Sequence, residues 1–314
     1  MHIGNYFGAI KNWVALQEPG TECFYCAVDY HSITVEYEPK DLRDRSINLA
    51  MDLLACGVDP EKSALFLQSQ VPEHTELAWI LAAVTSYGDL QRMTQFKDKS
   101  DVQTFVSAGL FTYPILMAAD ILLYKATHVP VGQDQKQHLE QTSDIGKRFN
   151  SRFGEMFPDP QPVFTKAPKV QSLAEPDKKM SKSLGDKHWI GVFEDEASAR
   201  KKIKSAVTDT GGPKTEAMSP GVANLFLLLE QTAPASAIEP LLAAHKAGAL
   251  KYSELKDAVA NHLMDALRPL REKRATITEK YAREVLAAGA ERARKIARAT
   301  IAEARDKIGL YDVR

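Results

Sequence analysis

The chain has 314 residues, 44% of them hydrophobic and 26% charged, with a formal net charge of -1. That is the composition of an ordinary globular protein, long enough for two domains or for one large domain with an appendage, and it leaves any basic surface to be local. No apolar stretch approaches a membrane span, no signal pattern opens the chain, and three cysteines cannot build a disulfide framework, so a cytoplasmic protein is expected.

In chain order, the first half alternates strand and helix. Gly8 to Leu16 reads as a helix with Ala9, Ile10, Trp13 and Leu16 on one face. TECFYCAVD reads as a continuously apolar buried strand, and its CxxC (Cys23, Cys26) has no second ligand pair at metal spacing, so both are read as core cysteines. PKDLRDRSINLAMDLLACG is an amphipathic helix with Leu42, Leu49, Leu53 and Cys56 inward and Gly57 as its stop. SALFLQS is a second strand, ELAWILAAVTS a helix, THVPVG a third strand and GQDQKQHLEQTSDIGKRF the helix after it. This order argues for parallel βαβ units, which bind ligands at the carboxyl ends of their strands. LAEPDKKMSKSLGDK is a basic loop, and TDTGGPKTEAMSPG is a hinge or boundary. Everything beyond is helical, through ITEKYAREVLAAGAERARKIARATIAEARDKIG. The expected fold class is α/β, a Rossmann-like parallel-sheet domain over 1–190 followed by an all-helical domain over 191–314.

Three segments carry chemistry. HIGN (His2, Gly4, Asn5) leads into a helix, where a glycine lets a ligand approach free N–H groups; alone it equally describes a frayed turn. KMSKS places Lys179, Lys182, Ser181 and Ser183 around Met180, enough donors to wrap a pyrophosphate, or else a solvated basic loop. In TYPILMAADILLY, Tyr113, Met117, Asp120 and Tyr124 fall on one helical stripe. A carboxylate in an apolar stripe needs a donor: an indole N–H, which only donates, or a local partner such as Lys125.

HIGN, KMSKS, VDYHSIT, RMTQFKDKS, TYPILMAADILLY, PVGQDQKQHLE and SAVTDTGG together resemble the bacterial-type tryptophanyl-tRNA synthetases, class I enzymes, over essentially the whole chain. The resemblance implies a ligase that uses ATP, with Mg2+ bound alongside, to activate L-tryptophan and then charge tRNA(Trp). It also implies a homodimer, plausible through ELAWILAAVTSYGDL, with no membrane or DNA partner. Carried over residue by residue, Asp120, Tyr113, Met117, Gln135, His31, Val129 and Val131 belong to the tryptophan pocket. His2, Gly4, Asn5, Gly132, Gln133, Asp134 and Val170 belong to the ATP site, with Lys179, Met180, Ser181, Lys182 and Ser183. Lys99 joins Lys179 and Lys182 as a catalytic phosphate-binding set.

The family's pattern places a strand and a glycine-containing loop before HIGN, and here Met1 stands where that segment would end. The expectation is that Met1 is an internal position of the native protein, and that without the segment two neighbouring strands expose unpaired edges. That absence sustains an alternative, a truncated paralogue that binds tRNA or tryptophan without adenylating. The tyrosine enzyme of the same class fits the GQDQKQH and MAAD segments less well. LRPLREKR and ERARKIARATIAEARDK hold six more basic than acidic residues, to meet tRNA phosphates or to form a solvated helix packed through Ala288, Ala293, Ile296, Ala299 and Ile308.

Overall fold

Four strands are built from the short apolar runs: β1 (Cys23–Ala27), β2 (Ser63–Leu67), β3 (His128–Val131) and β4 (Gln161–Phe164). In the computed structural model, which describes residues 1–93, 106–164, 168–208 and 218–311, they form two parallel pairs, β1 with β2 and β3 with β4. Cys23 pairs with Ser63 and runs in register to Ala27 with Leu67; His128 pairs with Gln161 and runs to Val131 with Phe164. The strands are parallel, as the α/β reading expects, and among the described residues they stand as two separate pairs. A cavity of about 700 Å³ separates the pairs, walled by Cys23, Phe24 and Tyr25 of β1 and by His128, Val129 and Pro130 of β3. The opening explains why β1 is half-buried over Cys23–Cys26, whereas β2 is buried over Ser63–Phe66.

The chain's contacts gather it into two compact units. The larger comprises Leu16–Met51, Val58–Thr165 and Glu279–Arg314. Its core joins Phe66 and Ala64 of β2 to Leu77 and Leu81 of helix Glu73–Ala82, Ala118, Ala119 and Leu122 of helix Ala108–Leu122, and Ile145 and Phe149 of helix Lys136–Phe153. The terminal helix Glu279–Ile308 closes that core with Ala290, Ala293, Ala297, Ile301 and Ala304. It crosses β2 at Gly289, where an added Cβ would sit 2.0 Å from the Leu65 carbonyl oxygen; only glycine allows that approach. Of the packing face expected for this helix, Ala293 is buried and Ile308 packs half-buried on the same core, while Ala290, Ala297 and Ala304 complete the face in place of Ala288, Ile296 and Ala299.

Four arginines of this helix contact other elements of the same unit. Arg292 donates to the Ser63 carbonyl at 3.0 Å, Arg294 and Arg298 approach Glu73 at 3.6 and 3.4 Å, and Arg305 pairs with Glu76 at 2.6 Å. Much of the local positive charge read from the sequence is thereby engaged within the chain.

The second unit comprises Met1–Ala15, Asp52–Gly57 and Lys166–Thr278. Helical turns run from Ile3 through Ala15, with a π-turn over Tyr6–Ile10. The helix expected from Gly8 thus starts at Ile3; Ile10 of the expected face is buried, joined across the wider π-turn by Ile3 and Phe7, while Ala9, Trp13 and Leu16 are half-buried. Helix Pro220–Thr232, begun by proline at its first turn, packs Leu225 and Leu229 near Leu255, Val259 and Leu263 of helix Tyr252–Thr276. Helix Pro39–Ala55 ends at Gly57, whose φ of +109° is the expected stop, but Leu49 is 39% exposed and Ala50 takes the inward position.

Candidate active site

The carboxyl ends of β1 and β2 converge on Asp120, two residues from the end of helix Ala108–Leu122. The short helix after β1, Asp29–Ser32, brings His31 Nε2 to 2.8 Å from Asp120 Oδ2. The 3-10 turn after β2, Gln68–Gln70, brings the fully buried Gln68, whose Nε2 donates to Asp120 Oδ1 at 2.7 Å while its Oε1 accepts from Tyr30 N at 3.1 Å. His74, also fully buried, sets Nδ1 2.7 Å from Oδ1, off the line of an ideal hydrogen bond, and shares a 2.8 Å hydrogen bond between its Nε2 and the Tyr124 hydroxyl. The Asp120 side chain is 12% exposed. Burial raises its pKa, but the two adjacent histidines outweigh that and hold the carboxyl below the usual value, so it is ionised at neutral pH. Lys125, the local partner weighed for Asp120, turns to Glu303 at 2.7 Å instead.

Asp120 is also a wall of the cavity between β1 and β3, beside Ile121, Tyr124, Phe24 and Val129. Phe24 and Tyr124 stack with centroids 4.8 Å apart, giving the slot an aromatic side. Tyr113 is buried, shares a 2.6 Å hydrogen bond with His138 Nε2 and stands edge-on to His31, with burial pushing its phenol up to about 12. Met117 and Val131 are half-buried. Gln135 donates to Asp134 at 2.9 Å. Asp134 folds back over Gly132, where a Cβ would meet Oδ1 at 2.5 Å, and Gln133 is exposed on the turn Gln133–Gln135. The structure therefore gathers His31, Asp120 and Val129 of the expected pocket around one slot or its carboxylate, and leaves Gln135 on the turn beyond β3.

A separate set occupies the other unit. His2 and Gly191 form an antiparallel bridge, Ile3 N donates to Ile190 O at 2.9 Å, and His2 N donates to Asn5 Oδ1 at 3.1 Å. The His2 ring packs on Gly4, where a Cβ would crowd it at 3.0 Å, and its Nδ1 is buried without a hydrogen-bond partner. Burial first, then the chain's amino group, Lys182 and Lys179, push its pKa down to about 4, so the ring is neutral at pH 7. KMSKS is pinned at its centre. Met180 is 2% exposed, and its N–H donates to Val170 O at 3.1 Å. Lys179, Lys182 and Ser183 stay exposed on either side, with Ser181 capping the turn Lys182–Leu184. Lys182 lies 5.0 Å over the Trp189 ring, which Lys202 approaches at 4.6 Å. Neighbouring Lys178 and Lys202 carry ion pairs, to Glu175 and to Asp186 and Glu194; Lys179 and Lys182 have no carboxylate at that range among the described residues. Lys99 lies outside the described residues.

Sequence reasoning missed Gln68 and His74, since neither sits in a motif. Their signal is only that a polar side chain follows β2 and another opens the next helix. Trp189 and Lys202 were likewise invisible.

Residues 1–268, which hold the parallel βαβ units and the KMSKS loop, match the family described as tRNA synthetases class I (W and Y); the chain belongs to that family. A tryptophan–tRNA ligase of Caldanaerobacter subterraneus is 44% identical over 314 residues, covering 99% of this chain and 95% of that protein. Tryptophan–tRNA ligase 2 of Streptomyces avermitilis is 45% identical over 98% of this chain and 93% of its own length. Among solved structures, the Campylobacter jejuni tryptophanyl-tRNA synthetase complexed with ADP and tryptophan superposes with a TM-score of 0.87 at 36% identity, covering 99% of this chain and 96% of that one.

Proposed function

We propose that this chain activates L-tryptophan with ATP to tryptophanyl-adenylate and transfers the tryptophanyl group to tRNA(Trp). The observation that carries the tryptophan half is Asp120, an ionised carboxylate at the wall of an aromatic slot. The only donor on tryptophan's ring is its N–H, and a phenylalanine in the same slot would leave a costly acceptor unmet. Relatives at 44% and 45% identity over nearly the whole chain bear the same activity in their names. Val129, Val131, Met117 and Tyr113 line the indole, and Gln135 meets the amino acid's polar end.

A carboxylate oxygen of tryptophan attacks the α-phosphorus of ATP, and the bond to the bridging oxygen of pyrophosphate breaks. The departing group gains negative charge, which Lys179 and Lys182 neutralise, joined by Lys99. Their exposure and lack of carboxylate partners keep both described ammonium groups available, while Met180 anchors the loop between them. His2, neutral and with Nδ1 lacking a partner, Gly4 and Asn5 receive the phosphates or ribose. Val170 offers backbone to adenine, Ser181 and Ser183 add hydroxyl donors, and Gly132, Gln133 and Asp134 take the ribose. The expected magnesium arrives bound to the phosphates of ATP.

The helices beyond residue 191 read tRNA, with bases recognised by side-chain hydrogen bonds and stacking. A homodimer through the segment from helix Glu73–Ala82 to helix Tyr87–Gln91 is supported by Trp79, 81% exposed, and Tyr87, 66% exposed. Work in the reducing cytoplasm suits three free cysteines.

The cavity between β1 and β3 favours one second reading, a chain that binds tryptophan or tRNA without adenylating, because two strand edges border open space there. ATP–pyrophosphate exchange with each amino acid in turn separates the readings. Exchange dependent on tryptophan supports the enzyme; binding of tryptophan with no exchange supports the second reading; exchange with tyrosine refutes both.

A further inference from the structure

A carboxylate has about four lone-pair sites. On Asp120 three donors already approach: Gln68 Nε2 and His74 Nδ1 on Oδ1, and His31 Nε2 on Oδ2. One site on Oδ2 is left for a ligand. The count works only if His74 carries its ring proton on Nδ1. Tyr124 supplies that condition. Its hydroxyl lies 2.8 Å from His74 Nε2, and burial raises the phenol's pKa, so it remains an O–H that donates to Nε2 and leaves the proton on the nitrogen facing Asp120. The Tyr124 ring meanwhile stands in the cavity wall, stacked on Phe24, so one residue touches both the slot and the group that orients the carboxylate.

We propose that His74 is a positioning residue for indole recognition: held by the Tyr124 hydroxyl, it presents Nδ1–H to Asp120 Oδ1 and turns the carboxylate so that one Oδ2 lone pair faces the slot for the ring N–H of the amino acid. The proposal rests on Asp120 as the indole acceptor. Gln68 alone would hold Oδ1 on one side and leave the carboxylate free to tilt. His74 Nδ1, 2.7 Å from the same oxygen, adds a second contact to Oδ1, and both groups are fully buried. His74 never touches the ligand in this scheme; it acts through Asp120.

The test compares tryptophan with 3-benzothienylalanine, an isostere in which sulfur replaces the ring N–H, in ATP–pyrophosphate exchange by the full chain. For His74→Ala, KM for tryptophan is expected to rise about tenfold. KM for the isostere changes less than twofold, and kcat for both stays within about twofold. Tyr124→Phe moves the ratio in the same direction by a few fold, and His74→Asn, whose amide nitrogen takes the place of Nδ1, restores it. In an Asp120→Asn background His74→Ala no longer alters the ratio. If His74→Ala instead raises both KM values equally, or His74→Asn fails to restore the ratio in a chain that still melts like the parent, the positioning role is overturned while Asp120 keeps its assignment. Should Asp120→Asn itself leave the ratio unchanged, the underlying reading fails and takes this inference with it. If His74→Ala does not fold, Tyr124→Phe, which removes only a hydroxyl, decides the question, an unchanged ratio counting against the proposal.

Discussion

The two regions to which the proposed function assigns the chemistry are built on opposite principles. Around Asp120, three side chains from three elements converge on one carboxylate, two of them with no exposed surface. At KMSKS a single buried methionine pins the loop, and the lysines beside it are exposed and lack carboxylate partners among the described residues. The difference follows from when each charge is needed. Discrimination requires an acceptor whose position is set before the ligand arrives, because a buried acceptor left unmet is what penalises the wrong amino acid. Stabilising pyrophosphate requires charge that arrives as the bond breaks, and a cation locked in an ion pair cannot supply it.

Substitutions should therefore separate into effects on turnover and effects on choice. The largest effect is expected from Lys182→Ala, which should lower kcat for tryptophan-dependent exchange by roughly a hundredfold or more while leaving KM for tryptophan within a few fold. Stopped-flow or steady-state exchange measures it, and a change confined to KM would place Lys182 outside the phosphate chemistry. Next in size, Gly289→Ala forces a Cβ against the Leu65 carbonyl and should destabilise the larger unit by roughly 2 kcal/mol, read as a lowered urea midpoint. A midpoint within error of the parent would show that the terminal helix shifts off β2 at little cost. The smallest expected effect is electrostatic and lies at His2. Its folded pKa, about 4, is below the unfolded value of 6.5, so the unfolded state binds the proton first. Its contribution is full above pH 6.5 and is lost as pH falls from there towards 4. His2→Gln should flatten the stability profile across that window, and an unaltered slope would argue against a buried neutral ring.

The same contrast explains what the sequence disclosed. β1, β2 and β3, the stop at Gly57 and the basic loop were legible because apolar runs, a positive-φ glycine and clustered lysines are local signals. That Asp120 needs a donor was legible, because a charge in an apolar stripe asks for a partner. Gln68 and His74 were not, since a buried network is assembled by tertiary packing from residues that look ordinary one at a time. β4 escaped as a four-residue run, Gln161–Phe164, bearing Pro162, and the engaged arginines of the terminal helix looked like a free basic face until Glu73 and Glu76 were seen beside them. The isolated glycine in AAGAER was a signal that was available, since glycine inside a helix marks a close backbone approach.

The most direct test of the central claim is the ratio of kcat/KM for tryptophan over phenylalanine in ATP–pyrophosphate exchange, measured on the parent chain and on Asp120→Ala. The ratio is predicted to collapse by at least about a hundredfold in the variant, because the aspartate is what a phenylalanine leaves unsatisfied. A variant that still prefers tryptophan as strongly as the parent would contradict that claim.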